Sequence, residues 1–195
     1  MKLIVLNKKR LGVTIIIIGL MVILFGFQTK FDSILKQTAL MQSNIYSLKE
    51  YSALNNSITY KLPSDWTTSS QSFAGKEILY HNDFQSPDAK IHGFVEVWSI
   101  KEDLKTFLYK SKIASETQNV IKDYSITPIN INGKSGYEIQ YVMITNYGAP
   151  YKAFEYFIND QGRFVRFSFF VRDANLKENM ATIFKTIVET VKYNY

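Results

Sequence analysis

Leu11 to Phe27 reads LGVTIIIIGLMVILFGF, seventeen residues without a charge, twelve of them Leu, Ile, Val or Phe. At roughly −0.3 to −0.6 kcal/mol each on an insertion scale, those twelve side chains together favour the bilayer by about 5 kcal/mol. As a helix the run covers about 26 Å, slightly short of a hydrocarbon layer of about 30 Å. Snorkelling by Arg10 and Lys30 at its two ends absorbs the difference. Lys8-Lys9-Arg10 directly precedes the run. Positive charge is retained in the cytoplasm, which predicts residues 1–10 inside, a spanning helix over 11–27, and all that follows outside the membrane. A cleaved signal peptide is the competing reading. Its small-residue cleavage pattern is missing around Gly26-Phe27-Gln28-Thr29, and the run is longer than most signal cores. The expectation is an uncleaved single-pass signal anchor.

Charge supports that topology. The net charge of +6 invites a nucleic-acid reading, but Lys2, Lys8, Lys9, Arg10 and Lys30 lie in the first thirty residues with no acid among them. The remaining 18 basic residues face 17 acidic ones, so the rest of the chain is close to neutral. A nucleic-acid binder concentrates its positive charge on the folded domain. No nucleic-acid partner is expected. Cysteine is absent, which excludes disulfides, thiol nucleophiles and cysteine-held metals.

Residues 28–56 read as a helical stem. Phe31, Ile34, Thr38, Met41, Ile45 and Leu48 alternate spacings of three and four, and neither Pro nor Gly interrupts them. The pattern allows a weak homodimer through a short coiled coil above the membrane. It equally describes an amphipathic stem lying on its own domain, the stronger of the two readings for so short a repeat. Asn55-Asn56-Ser57 reads as the break into a domain spanning 57–195.

Within that domain the period changes. Ile58–Leu62 alternates as a strand and stops at Pro63; Lys76–His81 and Ile91–Ile100 read as further strands. Asp103 to Gln118 is a helix that Asp103 can cap, Asp123–Ile131 is extended, and Asn132-Gly133 is a turn. Gly136–Thr145, Tyr151–Asn159 and Arg163–Val171 are long strands, the last two joined through Asp160-Gln161-Gly162. Leu176, Met180, Ile183, Phe184, Ile187, Val188 and Val191 form one helical stripe, with Asp173 or Asn175 as its cap. The fold class is therefore α+β: a membrane helix, then an antiparallel sheet with helices packed on one face. Pairing Ile158 with Phe164 sets Tyr156 opposite Arg166 and Lys152 opposite Phe170 on an outer face. Tyr151, Ala153, Phe157, Val165, Phe167, Phe169 and Val171 then form the core face.

Leu62-Pro63-x-x-Trp66, then Ile131-Asn132-Gly133-Lys134-Ser135-Gly136-Tyr137, the long aromatic strands and a last helix with Ile183-Phe184-x-x-Ile187 come in an order that resembles the PsbP-like family. These are the extrinsic photosystem proteins and their exported bacterial relatives. The likeness covers about residues 57–193. It implies an α/β/α sandwich around an antiparallel sheet and an accessory or binding role, and it carries over no catalytic residue. The anchor and the lack of a plastid-type leader depart from the extrinsic members.

Candidate chemistry is sparse. His81 and His92 are the only histidines, and His81-Asn82-Asp83 with Asp88 nearby is a thin ligand set for a metal. No Ser stands in a Gly-x-Ser-x-Gly turn, and Glu102-Asp103 is explained by the start of a helix. Gly162–Phe169 superficially resembles the aromatic strand of RNA-binding domains, which the near-neutral charge opposes. The outer hairpin face, with Lys152, Tyr156, Arg166 and Arg172, offers cations over an aromatic ring for an anionic glycan or headgroup. The reading is a non-catalytic, membrane-tethered accessory module outside the cell membrane, without metal or cofactor, bound to an envelope protein or cell-wall ligand. An envelope enzyme near His81 and His92 and a structural dimer through the stem are the alternatives.

Overall fold

The computed structural model describes residues 8–118, 120–145 and 148–194. Most of the expected cytoplasmic leader lies outside them. The chain divides into two units, one ending at Ser43 and the other beginning at Asn44.

The first unit is one helix, α1 (Lys8–Gln42), 35 residues and about 52 Å long. It runs unbroken through the apolar segment and into the stem. No part of its most apolar stretch is buried within the chain. Phe31, Ile34 and Met41 extend the exposed apolar surface past the uncharged run. The heptad reading fails beyond that point. Asn44 turns into the left-handed region at φ 59°, Ile45 is buried, and Leu48 opens a strand, β1 (Leu48–Ala53). The cause is tertiary. The buried strand β2 (Ile58–Pro63) needs a ladder partner, and β1 supplies it with Tyr51 opposite Tyr60. Leu54, Asn55 and Asn56 all take positive φ, so the expected break is the turn of this hairpin.

The second unit holds two antiparallel sheets. The larger comprises β3 (Thr67–Gln71), β4 (Ile78–Gln85), β5 (Ile91–Ser99), β6 (Val120–Ile131), β7 (Lys134–Ile144), β8 (Pro150–Asp160) and β9 (Arg163–Arg172), in spatial order β3-β4-β5-β9-β8-β7-β6. The smaller is β1-β2-β10, where β10 is Lys192–Tyr193. Helix α2 (Leu104–Gln118) follows β5, and α3 (Met180–Val188) precedes β10.

The two helices lie against opposite faces of the large sheet, where the sequence pattern had placed both on one. Strands β8 and β9 are apolar on both sides, as the inner strands of a sheet covered twice must be. On one face Phe184 of α3 stacks on Phe169 at 4.3 Å and meets Phe154 at 5.3 Å, while Tyr60 of β2 meets Phe167 edge-on. Trp66 joins this core against Phe84. On the other face Leu104 and Leu108 of α2 pack with Phe157, Phe164 and Ile139. Asp103 caps α2 as expected, its carboxylate accepting from the Thr106 backbone N–H at 3.0 Å. Helix α3 starts later than expected. Asp173 and Asn175 sit in a preceding 3₁₀ turn (Asp173–Asn175), and Leu176 stays exposed.

Candidate functional site

The β8–β9 hairpin determines which side chains meet. Gln161 and Gly162 take φ of 46° and 79°, a two-residue turn that pairs Asp160 with Arg163. An ion pair between the Arg163 guanidinium and the Asp160 carboxylate, at 2.9 Å, closes it. Treating Asp160 as part of the loop displaces the ladder by one residue, and a one-residue slip sends every side chain of a strand to the other face. In the structure Tyr156 pairs with Phe167 and Lys152 with Val171 on the α3 side, whereas Arg166 pairs with Phe157 and Arg172 with Tyr151 on the α2 side. Lys152, Tyr156, Arg166 and Arg172 therefore do not form one surface. Tyr156 is buried in the core, and Tyr151, Ala153 and Phe157 leave the core face assigned to them. The side chains expected inside on β9 are inside.

His81 and His92 are not brought together either. His81 pairs with Glu96, four residues along β5 from His92, about 13 Å at a strand's rise. His81 is enclosed by Phe73 and Phe94, with Glu96 at 2.8 Å from Nδ1 and Asp83 at 2.9 Å from Nε2. His92 stacks on Phe170, and burial holds its pKa below the ordinary histidine value. Asp88 belongs to a turn with Ser86 and Lys90. Among the described residues no group of three or more His, Cys, Asp or Glu is placed to hold a metal.

What the α2 face does hold is a hydrogen-bonded chain of polar side chains from His81 on β4 to Tyr141 on β7, with Glu96, Arg166 and Glu155 between them on β5, β9 and β8. The Arg166 guanidinium donates to Glu96 at 3.3 Å through Nη1, and to both oxygens of Glu155, at 3.0 and 3.1 Å, through Nη2. Trp98 Nε1 donates to Glu96 at 2.8 Å, and the Tyr141 hydroxyl donates to Glu155 at 2.9 Å. Burial, together with the Glu155 charge, pushes the Tyr141 pKa far up, so its hydroxyl stays a donor. Arg166 lies over the Phe94 and Phe157 rings, and the two carboxylates beside it hold it charged despite burial.

Beside this chain, under α2, is a cavity of about 250 Å³. Trp98, Phe107, Tyr124, Tyr141 and Phe157 supply aromatic walls, with Glu155 and Arg166 also lining it. Tyr124 and Tyr141 stack at 6.2 Å, and burial with Glu155 and Glu116 nearby pushes the Tyr124 pKa up to about 12. Lys112 Nζ sits 5.2 Å from the Tyr124 ring centre and ion-pairs with Glu116 at 2.6 Å. A broader hollow of about 540 Å³ lies on the same face beside His92, Phe94 and Phe170.

The sequence reading missed Glu96, Glu155 and Tyr141. A usable signal was present: Val95-Glu96-Val97, Phe154-Glu155-Tyr156 and Val165-Arg166-Phe167 each place one lone charge between apolar neighbours in a strand. Buried charges take partners of opposite sign, and one guanidinium on an inner strand has donors enough to serve a carboxylate on each neighbouring strand.

No protein-family model and no curated protein matches the chain. Solved structures do. The solution structure of cyanobacterial PsbP (CyanoP) from Synechocystis sp. PCC 6803 superposes with a TM-score of 0.58 at 13% identity, over 77% of this chain and 94% of that one. The fold is PsbP-like. A crystal structure from Bacteroides thetaiotaomicron VPI-5482 matches with a TM-score of 0.51 at 12% identity, over 75% of this chain and 48% of its own. At these identities the likeness is one of architecture. The PsbP-like sandwich is what sets α2 and α3 on opposite faces and so makes the cavity under α2.

Proposed function

We propose that this chain is a non-catalytic accessory module tethered to the cell membrane by residues 11–27, its PsbP-like domain outside the cell, where it recognises an envelope protein or a cell-wall component. The observation that carries the tether is the exposure of α1. Ile15 to Ile18 and Leu20 to Phe25 each leave at least 50% of their surface uncovered. Water penalises an apolar surface of that extent, and lipid does not. The PsbP-like fold supports an accessory role. So does the state of the polar groups under α2, which are engaged with one another as a structural ion-pair set.

Topology is tested with a reporter active only in the cytosol and one active only outside, each fused after Tyr195. The external reporter alone is expected to work, and signal from the cytosolic one would overturn the placement. Recognition is tested by capture of the tagged chain from maltoside-solubilised membranes. A partner recovered above background supports the module reading; none recovered counts against it.

Pairing of copies through α1 is a second reading, favoured by the exposed Phe31, Ile34 and Met41. Cysteine crosslinking at Met41 would trap a dimer, and monomer alone would remove this reading.

A further inference from the structure

We propose that the cavity under α2 binds a small aromatic carboxylic acid in its ionised form, an inference that rests on the domain's being a binding module. The hydrogen-bonding capacity left on the lining points there. Glu155, the acid of the lining, is already met: both of its oxygens accept from Arg166 Nη2, and one also accepts from the Tyr141 hydroxyl. What the lining has to spare is donors. Among the described residues Arg166 Nε is buried without a hydrogen-bond partner. The Tyr124 hydroxyl, its pKa pushed up to about 12, keeps its proton. Lys112 brings three N–H groups, of which Glu116 takes one. Spare donors call for an acceptor.

Charge gives the acceptor its sign. Arg166 and Lys112 line the cavity against Glu155 alone, and Arg166 answers Glu155. Lys112 is the cation left over. Its pair with Glu116 is partly exposed and lies within a single turn of α2. Such pairs are weak and exchange readily. A ligand carboxylate can therefore take Lys112 over, through charge-assisted bonds that a neutral group does not match. Lys112 is partly exposed and Glu155 is buried, so the incoming charge stays at the rim, away from the buried acid. The body of the ligand follows from the walls. Trp98, Phe107, Tyr124 and Phe157 present rings, against which another aromatic ring packs offset or edge-on. A volume of about 250 Å³ suits one ring with a short acid chain, and not a polymer.

The test uses the full chain in maltoside micelles at neutral pH, titrated with phenylacetate, with its uncharged isostere phenylacetamide, and with acetate, which keeps the charge and lacks the ring. Empty micelles give the blank. Binding is read by calorimetry and by the NMR shift of the Trp98 indole N–H. Phenylacetate is expected to bind saturably and phenylacetamide roughly tenfold more weakly or worse, the difference between a charge-assisted and a neutral hydrogen bond. Acetate is expected to give no saturable shift. Lys112→Ala, at a partly exposed position where folding is not at stake, is expected to weaken phenylacetate binding roughly tenfold by the same measure. Glu116→Gln, which frees the lysine, is expected to tighten it. Equal binding of phenylacetate and its amide, acetate binding as well as phenylacetate, no saturable shift at Trp98, or an affinity unmoved by Lys112→Ala would each overturn the proposal, as would weaker binding by Glu116→Gln. A partner captured from membranes alongside any of those results leaves the module reading standing and removes the acid site alone.

Discussion

The Arg166 guanidinium and the Glu155 carboxylate meet at 3.0 Å on neighbouring strands, with 5% of the Glu155 side chain and 23% of the Arg166 side chain exposed. A carboxylate that deep depends on its partner, because removing one member of a buried pair strands the other. Arg166→Met is expected to cost about 2–3 kcal/mol, below the range for fully buried pairs because Arg166 keeps some contact with water. Adding Glu96→Gln and Glu155→Gln is expected to recover much of the loss. Urea unfolding in maltoside, followed by tryptophan fluorescence, measures both. An unchanged midpoint in the single variant would show that the pair is not structural.

Acid should weaken the domain partly through His92. Burial against Phe170 and Tyr151 lowers its folded pKa below the unfolded value near 6.5. The unfolded chain then binds the proton more readily, so the contribution is fully present above about pH 6.5 and is lost as pH falls through the lower, folded value. His92→Phe is expected to flatten this part of the stability–pH curve. Proton NMR of the ring should show His92 still neutral somewhat below pH 6.5, and charging at the ordinary value would contradict the account.

Gly93 is held by a close strand contact. A Cβ built there falls 1.8 Å from the Ser168 carbonyl oxygen and 2.7 Å from the Phe84 ring. Backbone oxygen cannot step aside as a side-chain tip can, so β5 and β9 would have to part. Gly93→Ala is expected to lose about 3 kcal/mol or more, at the upper end of overpacking effects. A thermal midpoint within a degree or two of the parent would refute this.

Gln161 occupies a turn position at φ 46° that Asn or Gly fills with less strain. Gln161→Asn should stabilise the hairpin by about 0.5 kcal/mol without altering the sheet register. Differential scanning calorimetry reads the gain, and a lower midpoint would mean that the glutamine side chain has a role of its own.

The long strands, α2 with its Asp103 cap, and the Asn132-Gly133 turn were legible because each has a local cause, in alternation, capping or turn chemistry. What escaped was set at long range. Strand β1 hides in a stretch whose Ile45 and Leu48 also satisfy helical spacing, and only the demand of β2 for a partner decides between them. The hairpin register turned on whether Asp160 belongs to strand or loop, which its ion pair with Arg163 settles. Likewise, the cavity under α2 joins residues from β5, β6, β7, β8 and β9, and no local spacing announces such a set. The lone charges at Glu96, Glu155 and Arg166 showed that something buried was polar, but not that the three would meet.

Strand β2 has β1 on one side and β10 on the other, so the first and last strands of this unit share one small sheet, with Leu48 opposite Pro63 at one end of β2 and Tyr193 opposite Ile58 at the other. If α1 holds the chain in a membrane, as proposed, tension on it would reach Leu48 first and peel β1 from β2 rung by rung, leaving the β2–β10 pairing for last. The three-stranded sheet would thus behave as a mechanical fuse, yielding at its outermost strand before the seven-stranded sheet bears load.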